Sequence, residues 1–509
     1  MVAAGFILRF TRNLKIAPTI ILPSLLVTHY SSLAFASTTW TETQKSDWSD
    51  GLTTNTTWYP ETQLQLDTLD DWFDNNWKYR IKITINNTGS TLNDYQVFIA
   101  TTEFGSAWSD IKSKAQSDMD DFRFVHSSGG VLNYWIEPDT NNPKGFWVKV
   151  STVTGNGNTD IWMYYGNASA STGGSVIGTF IREINDLVGS WNFDEGSGST
   201  AYDTSGNNND GTINGATWTT GKFSSALSFD GENDYVDCGN DASFDITNEI
   251  TVEAWIKPTG GGYYGTKDNG SGTRGWGAMY DSNYERARFW HHTGSTIRNM
   301  YTDENTVPLN AWSHIVNIGD NTGKVAIYIN GELSKSITGT SGDLNTNSVS
   351  VTIGAYEGGV TSFQGIIDEV CIFNRALTAT EILDIYNNYG YTTSDYPGKV
   401  LVRKYADPEP TISSVGSEEG KYYSSGNYKS NVLNTGADDT KVTQVSWNPT
   451  TQPAGTTLQV SVRASNTSFS ANDATPSWTS VSNGGNPSVV GRYIQWMSTF
   501  TTNNSTTTP

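Results

Sequence analysis

The feature that most constrains this chain is a repeated alternation of apolar and polar residues, seen for example at residues 79–85 and 458–463. A period of two places successive side chains on opposite faces of a β-strand, so one face becomes core and the other meets water. Gly, Asn, Asp, Ser and Thr cluster between these runs, as is typical of turns. The pattern predicts an all-β chain built from tandem β-sandwiches. The one helical signal is at residues 378–386, where Thr378 and Glu381 have the spacing of a capping box.

The length of the chain predicts several domains. At 509 residues it exceeds what one hydrophobic core supports, which indicates about three domains. Breaks in the strand pattern and stretches rich in Gly, Ser and Thr give the boundaries. We predict a signal peptide at 1–36, a linker at 37–71, a β-sandwich at 72–170, a linker at 171–186, a central sandwich at 187–389 and a third, truncated sandwich at 390–509.

The first residues have the pattern of a secretory signal peptide. Three basic residues, Arg9, Arg12 and Lys15, precede an apolar run at 16–27, and residues 34–36 read Ala-Phe-Ala, the small-x-small pattern of a cleavage site. The apolar run is shorter than the roughly 20 residues that a membrane-spanning helix needs, and no later run is longer. We therefore predict a mature chain that begins at Ser37, is secreted or held at the cell surface, and has no membrane span. An uncleaved anchor or a wrongly assigned start codon is the alternative.

The charge of the chain limits its partners. The formal net charge is −21 although only 16% of the residues are charged. Nucleic acid and anionic membrane surfaces are therefore excluded as partners, because an acidic surface repels them. Glycans and cell-surface proteins remain, and the carboxylates are suitable ligands for calcium.

The first predicted sandwich contains three distinctive segments, WKYR at 77–80, YWIE at 134–137 and IWMYYGN at 161–167. In wording and order these segments resemble the family catalogued as domain of unknown function 2341. The resemblance implies a β-sandwich of the kind found in large archaeal and bacterial surface proteins, with no assigned chemistry. The region from 390 has only a loose resemblance, to the discoidin-like sandwiches that follow lectin modules.

The central region contains a longer series of such segments. They read WNFDEGSG at 191–198, DTSGNNNDG at 203–211, FDGENDYV at 229–236, TVEAWIKP at 251–258, VAIYING at 325–331 and IDEVCIFNRAL at 367–377. In this order they resemble a laminin-G-like, concanavalin A-like jelly roll. The resemblance implies two packed antiparallel sheets, in many members one calcium ion, and a role in glycan binding or adhesion.

A calcium site is expected where the opening loop of the central module meets its final strand. Calcium binds about 6 to 8 oxygens from carboxylates, amides, backbone carbonyls and water, and the loop at 203–211 offers this mixture. The resemblance implies Asp203 and Asp368 as side-chain ligands, with Asn207 and Asn209 adding amide or backbone oxygens. The alternative is that these Asp and Asn residues serve only turn geometry.

Sugar recognition is expected from aromatic residues in the central module. A pyranose offers apolar C–H faces beside hydroxyls, so it suits exposed aromatic rings flanked by polar groups. Aromatic residues crowd the region from 263 to 301. The predicted contacts are Tyr264, Trp276, Tyr284 and Trp290. The alternative is that these rings fill the core.

No motif in the chain predicts catalysis. Glycoside hydrolysis needs two carboxylates about 5 to 9.5 Å apart, and the nearest pair, Glu232 and Asp234, lies in a turn that resembles non-catalytic modules. Zinc-ligand spacing, a phosphate-binding loop and a nucleophile elbow are absent from the sequence. We therefore expect a non-catalytic binding or adhesion protein that recognises carbohydrate through its central module. The alternatives are accessory modules of a larger carbohydrate-active enzyme and a structural component of a surface layer.

The chain has two cysteines, Cys238 and Cys371. Alternation from the core-facing Val236 points Cys238 inward, whereas Cys371 follows the inward-facing Val370 and points outward. Without a β-bulge the two side chains lie on opposite faces. A disulfide, which an exported protein permits, and two separate thiols both stay open.

Overall fold

The structure is a computed structural model that describes residues 72–503, except 140–141, 269, 271–272, 357–358 and 448–452. It also describes the backbone of five earlier strands: β1 (Phe6–Arg12), β2 (Ala36–Glu42), β3 (Leu52–Thr54), β4 (Thr56–Trp58) and β5 (Leu64–Leu66). Most of the predicted signal peptide and first linker, and the end at 504–509, lie outside the described residues. The searched residues include no helix that is long and apolar enough to cross a membrane. The predicted all-β fold is confirmed.

The first sandwich consists of two small sheets around an apolar core. Its strands are β6 (Tyr79–Asn87), β7 (Leu92–Ala100), β8 (Arg123–His126), β9 (Val131–Leu132), β10 (Tyr134–Glu137), β11 (Gly145–Val153) and β12 (Gly157–Tyr165). One sheet contains β6, β12, β8 and β9, and the other has the order β10-β11-β7. Alternation buries Ile81, Ile83 and Ile85 of β6, as the period of two predicts. A 3-10 turn (Thr101–Phe104) and helix α1 (Ala107–Lys114) follow β7.

The second predicted linker, at 171–186, has regular structure. It contains the short helix α2 (Val176–Thr179) and strand β13 (Arg182–Asn185). The side chains of Phe180 and Ile184 are buried. This segment therefore packs as part of the folded chain.

The central region forms a sandwich of two eight-stranded sheets. Its strands are β14 (Leu187–Trp191), β15 (Thr200–Ala201), β16 (Gly211–Asn214), β17 (Thr217–Thr220), β18 (Ser225–Asp230), β19 (Tyr235–Asp237), β20 (Glu249–Pro258), β21 (Gly262–Lys267), β22 (Trp276–Asp281), β23 (Arg286–Thr293), β24 (Thr296–Tyr301), β25 (Ser313–Asp320), β26 (Lys324–Ile329), β27 (Glu332–Thr338), β28 (Thr352–Ile353) and β29 (Gln364–Phe373), with a 3-10 turn at Ala242–Phe244.

We call the two sheets of the central sandwich the front sheet and the back sheet. The front sheet has the order β15-β16-β19-β28-β21-β22-β23-β24. The back sheet has the order β17-β18-β29-β20-β25-β26-β27, and β14 also pairs with β29. Large apolar side chains such as Trp191, Phe229 and Phe289 fill the space between them. This arrangement confirms the predicted jelly-roll sandwich.

Helix α3 (Ala379–Asn387) begins at the predicted capping box. The Thr378 hydroxyl accepts a hydrogen bond from the Glu381 backbone N–H, and the Glu381 carboxylate accepts one from the Thr378 N–H. Such a cap satisfies backbone donors that the first turn leaves free. Ile382 and Ile385 of this helix are buried on the outer face of the back sheet.

The remaining strands are β30 (Tyr389–Tyr391), β31 (Lys399–Arg403), β32 (Thr411–Gly420), β33 (Ser425–Lys429), β34 (Leu433–Asn434), β35 (Lys441–Trp447), β36 (Thr456–Ser465), β37 (Thr479–Val481) and β38 (Tyr493–Thr502). Strand β31 pairs with β13 and β30, and β32 pairs with β6 of the first sandwich. The start of the predicted third sandwich therefore contributes strands that tie the first two modules together. Strands β33, β34, β36, β37 and β38 form a sheet with β3, and its core includes Tyr428 and Trp496.

A cluster of aromatic residues joins the first sandwich to these strands. Trp135, Trp147, Phe180 and Leu401 are buried together. The buried carboxylate of Glu137 accepts hydrogen bonds from the indole of Trp147 at 2.9 Å and from the hydroxyl of Tyr391 at 2.8 Å. Several large buried side chains and a paired carboxylate therefore stabilise the junction.

The two cysteines belong to different sheets, because Cys238 directly follows β19 of the front sheet and Cys371 lies in β29 of the back sheet. Cys238 is buried in the core between the two sheets, whereas Cys371 is buried with residues of α3 and β31 on the other side. Both are free thiols. The prediction of opposite faces from strand alternation is confirmed.

Candidate functional site

The outer face of the front sheet is the most distinctive surface of the central module. Alternation along β23 sends Phe289 into the core and places Arg288 and Trp290 on the opposite face. The neighbouring strands place Tyr263 of β21 and Tyr301 of β24 on that same outer face. Three strands, β21, β23 and β24, thus contribute to one surface of aromatic and basic side chains, and β22 lies between β21 and β23.

These side chains form a continuous series of ring and guanidinium contacts, which we call the ladder. In contact order it consists of Tyr356, Tyr263, Trp290, Arg288, Tyr301, Arg286 and Tyr284. The ring centroids are 5.0 Å apart for Tyr356 and Tyr263 and 5.5 Å apart for Tyr263 and Trp290. Both separations are typical of aromatic pairs that stabilise each other.

The two arginines continue the ladder by cation–π contacts. The guanidinium carbon of Arg288 lies 4.6 Å from the ring centre of Trp290 and 5.1 Å from that of Tyr301. That of Arg286 lies 4.4 Å from Tyr301 and 4.2 Å from Tyr284. Cations within about 6 Å of a ring centre are attracted by the π face, so each contact restrains an otherwise flexible side chain.

Gly277 allows Trp290 to lie against the sheet. A Cβ atom at Gly277 would lie 2.2 Å from Cζ2 of Trp290, closer than any real contact. The indole therefore covers the β22 backbone, and with Tyr263 and Arg288 above it Trp290 is only 1% exposed. Trp290 is the buried base of the ladder, and the partly exposed tyrosines form its surface.

A buried carboxylate holds one end of the ladder. Asp268 is fully buried, and both its oxygens accept hydrogen bonds of 2.9 Å from Nε of Arg274. Oδ1 also accepts a hydrogen bond of 2.8 Å from the hydroxyl of Tyr356. Burial raises the pKa of Tyr356, and the hydrogen bond to Asp268 raises it further. The tyrosine therefore stays neutral, and its ring is fixed beside Tyr263.

Two of the predicted sugar contacts belong to the ladder and two do not. Tyr284 is 46% exposed, and Trp290 is present as the buried base. Tyr264 and Trp276 lie in the core between the sheets, where the hydroxyl of Tyr264 is hydrogen-bonded to Asn317. The prediction that Tyr264 and Trp276 are exposed contacts is therefore wrong, because their parity in the strands turns them inward.

The arginines of the ladder were not among the residues predicted to bind sugar. In the segment from Arg286 to Trp290 they alternate with Ala287 and the core-facing Phe289, so strand parity alone would have placed them on the outer face. Tyr356 follows β28 in a loop and carries no periodic signal.

The carboxylate of Asp203 accepts hydrogen bonds from its own loop and from Ser190 of β14. Oδ1 accepts from the backbone N–H groups of Ser190 and Ser205, both at 2.9 Å. Oδ2 accepts from the Ser205 hydroxyl at 2.8 Å and the Asn209 N–H at 2.9 Å. This network orders the loop around the Asp203 carboxylate.

The predicted asparagine ligands direct their amides to a backbone carbonyl. The side-chain N–H groups of Asn207 and Asn209 donate to the Val188 oxygen at 3.1 and 3.0 Å. Asn209 also donates to the hydroxyl of Ser243 at 3.0 Å. These hydrogen bonds hold the loop against Val188 of β14 and against Ser243. They are a structural role for the two asparagines, as in the alternative given above.

Asp368 belongs to a different set of contacts from Asp203. It is fully buried, and Oδ2 accepts hydrogen bonds from the N–H groups of Lys222 at 2.7 Å and Phe223 at 3.1 Å. Burial raises the pKa of Asp368 well above its ordinary value, and the nearby charge of Asp194 adds to the rise. Asp194, which the sequence analysis did not include, is thus the acidic neighbour of Asp368.

Asp203 and Asp368, the two predicted carboxylate ligands, belong to separate hydrogen-bond networks. Across the searched residues there is no group of three or more His, Cys, Asp and Glu side chains that could hold a metal ion. Asp203 and Asp368 each have separate donors.

The carboxylate pair considered for catalysis has a structural role. Asp234 is buried, and its Oδ2 accepts a hydrogen bond of 2.8 Å from the N–H of Asp230. Glu232 is exposed in the same turn, and its N–H donates to the Asp230 carboxylate at 2.8 Å. The turn therefore accounts for the Asp234 carboxylate, and Glu232 contributes its backbone N–H to the same turn.

Two regions of the chain match known families. Residues 230–383 match the family described as the Concanavalin A-like lectin/glucanases superfamily. Residues 118–220 match a domain of unknown function, DUF2341. Both predicted resemblances are confirmed, in the predicted order. Comparison with curated protein sequences finds no match.

Several solved structures are similar to about two fifths of the chain. The binding domain of Paraclostridial Mosquitocidal Protein 1 has 19% identity and a TM-score of 0.33, over 40% of this chain and 52% of that one. Domain 4 of AbnA, an extracellular arabinanase from Geobacillus stearothermophilus solved in complex with arabinotriose, has 25% identity and a TM-score of 0.31, over 40% and 98%. The receptor binding domain of botulinum neurotoxin D has 15% identity and a TM-score of 0.32, over 42% and 56%. The chain spans about half the length of the two toxin domains.

Proposed function

We propose that this chain is a non-catalytic binding protein of the cell exterior that recognises carbohydrate through the ladder on the front sheet. The observation that carries the proposal is the continuous row of partly exposed aromatic rings and arginines on one open sheet face. Tyrosine rings pack against the C–H faces of a sugar, and guanidinium and amide groups donate to its hydroxyls. The match of residues 230–383 to a superfamily that includes lectins supports the same function.

The ladder is held in shape by its own contacts. Trp290 is buried beneath Tyr263, and Asp268 fixes Tyr356 by a hydrogen bond. A surface whose side chains are already ordered loses less conformational entropy when it binds a ligand. The rigid base therefore favours recognition of a ligand over a purely structural surface.

Export is part of this proposal. Its support is the signal-peptide pattern at residues 1–36, with cleavage before Ser37. Mass spectrometry of the exported protein tests it directly. A first residue at Ser37 is the expected result, and an intact Met1 end contradicts it.

A glycan array with the full mature chain tests the binding function. The wild type should bind a subset of the glycans on the array. The variants Tyr263→Ala and Tyr301→Ala should each lose this binding. Tyr202→Ala is the matched control, because Tyr202 is 57% exposed but lies outside the ladder. Retention of the same glycans by the ladder variants would contradict the proposed site. A wild type that retains no glycan would favour a structural role, and the release of sugar from a polysaccharide would contradict the non-catalytic assignment.

Calcium binding by the central module is a second proposal. Its support is the sequence resemblance, the oxygen-rich loop at 203–211, and the nearby carboxylates of the buried Asp368 and the exposed Asp194, whose mutual repulsion a cation would relieve. The module should melt at a higher temperature with calcium than with a chelator, and Asp368→Ala should remove the difference. Equal melting temperatures for the wild type would exclude the site.

A further inference from the structure

Three arginines lie on or beside the ladder, and their partners differ. Arg274 is paired with Asp268 at 2.9 Å, and Arg286 is paired with Asp281 at 3.1 Å. Arg288 lies between them along the ladder and donates from Nε to the amide oxygen of Asn299 at 2.8 Å. In the described part of the chain Arg288 forms no ion pair. This is notable because acidic residues outnumber basic ones in the chain by 52 to 31.

The geometry of Arg288 suits a planar anion. Its guanidinium packs against Trp290 and Tyr301, and the Nε bond to Asn299 restricts its rotation. Among the described residues its two terminal nitrogens have no acceptor, so they remain available as a pair of parallel donors. A carboxylate accepts two parallel hydrogen bonds from such a fork, which combines charge with defined geometry.

We infer that the ladder recognises a sugar that bears a carboxylate and that Arg288 binds this group. The inference rests on the proposed function and names its ligand class. The sugar ring would pack against Tyr301 while its carboxylate meets Arg288. The negative charge of the whole chain does not oppose this strongly, because charges beyond about 8 Å are screened at physiological ionic strength.

The test compares acidic and neutral probes on the full mature chain. The probes are a trimer of galacturonic acid, sialyllactose and lactose, and the variants are Arg288→Gln and Arg492→Gln. Arg492→Gln is the matched control, because Arg492 also donates from Nε to an asparagine, Asn434 at 3.1 Å, and lies beside Tyr493, but it is outside the central module and the ladder. Arg288→Gln should weaken binding of an acidic probe about tenfold or more, and Arg492→Gln should change it about twofold or less.

A third variant separates charge from geometry. Arg288→Lys keeps the positive charge but loses the fork, so it should restore only part of the affinity. Circular dichroism and melting temperature should be the same for the wild type and all three variants, which excludes misfolding as the cause. The two acidic probes then show whether a uronic acid or a sialic acid is the better source of the carboxylate.

Each contrary outcome has a distinct meaning. If neutral glycans on the array bind the ladder but both acidic probes do not, the inference is overturned and the proposed function survives. If Arg492→Gln weakens binding of the acidic probe as strongly as Arg288→Gln does, the specific role of Arg288 is overturned. If no glycan of any charge binds, the proposed function itself fails.

Discussion

The two outer faces of the central sandwich differ in whether other elements cover them. The outer face of the front sheet is open and carries the ladder, whereas α3, β30 and β31 lie over the outer face of the back sheet. We call these three elements the cover. Both sheets obey the same alternation, so both place polar and aromatic residues on their outer faces. What lies over a sheet therefore decides whether its outward side chains meet a ligand or become core.

The covered face contains ionisable groups that the open face would leave in water. His314 and Glu253 are buried, with His314 Nε2 2.9 Å from the Glu253 carboxylate. The ring of His314 stacks beneath Tyr386 of α3 with the centroids 6.0 Å apart. Glu369 is buried at a β-bulge in β29, with a backbone φ of 50°. Bulges and left-handed residues other than glycine cost stability, so the cover must stabilise this region.

Removing an apolar contact of the cover should have the largest effect on stability. Ile382 of α3 is fully buried, so Ile382→Ala should lower the free energy of unfolding by about 2 to 5 kcal/mol. Tyr301→Ala on the open ladder should lower it by about 1 kcal/mol or less, because Tyr301 is half-exposed. Urea unfolding of both variants measures the contrast. Equal losses would show that the front face is as structural as the back face.

A smaller loss is expected from Gly277→Ala, which alters the base of the ladder. The new methyl group would clash with Trp290, so stability should fall by about 1 to 3 kcal/mol and glycan binding should weaken. Gly265→Ala is the matched control on the neighbouring strand, because a Cβ there meets nothing closer than 3.7 Å. Thermal unfolding and the glycan array measure the two effects. A tolerated Gly277→Ala would contradict the placement of Trp290 against the sheet.

The two faces also differ in how far the sequence predicts them. Helix α3 was predicted correctly because its capping box is local. Which of the adjacent residues Tyr263 and Tyr264 faces the core was not predicted correctly. Either residue can face the core, and the pairing of β21 with β22 shifts its register between Tyr263 and Gly265. Tertiary packing decides such cases.

The cover itself was beyond the reach of local patterns. Strands β30 and β31 alternate like any others, but β31 pairs with β13, more than two hundred residues earlier. The ladder likewise needs the order β21-β22-β23-β24 and a loop residue, Tyr356. Residue types predict that such surfaces exist, whereas strand order decides which residues share one.

The pH dependence of stability should report on the covered face. Burial raises the pKa of Glu369 well above its ordinary value, and the charges of Asp368, Asp194 and Glu253 raise it further, while Arg403 lowers it. The folded pKa then lies above the unfolded value of about 4.3. The contribution of Glu369 to the free energy of unfolding is therefore complete below the unfolded pKa. It is lost as the pH rises through the folded pKa.

Glu369→Gln should reduce this pH dependence. The variant keeps the shape of the protonated side chain, so its stability should change less than that of the wild type between about pH 4 and pH 8. Glu232→Gln is the control, because Glu232 is exposed. Melting temperatures across this range measure the difference. An unchanged slope in Glu369→Gln would place the titration at other groups.

The smallest expected effect is a change in the rate of thiol labelling. It distinguishes the core of the central sandwich from the region beneath the cover. Cys238 lies between the sheets and Cys371 beneath the cover, and burial raises the pKa of both thiols well above the ordinary value. In the absence of reductant, a thiol reagent should therefore label two thiols in the unfolded chain. It should label almost none in the folded chain, because the thiolate is the reactive form.

Local opening of the cover exposes Cys371 without separating the sheets, so Ile382→Ala should speed the labelling of Cys371 more than that of Cys238. Mass spectrometry of labelled peptides follows each cysteine separately. Equal acceleration would mean that the cover and the core open as one unit, and fewer than two thiols in the unfolded chain would reveal a disulfide.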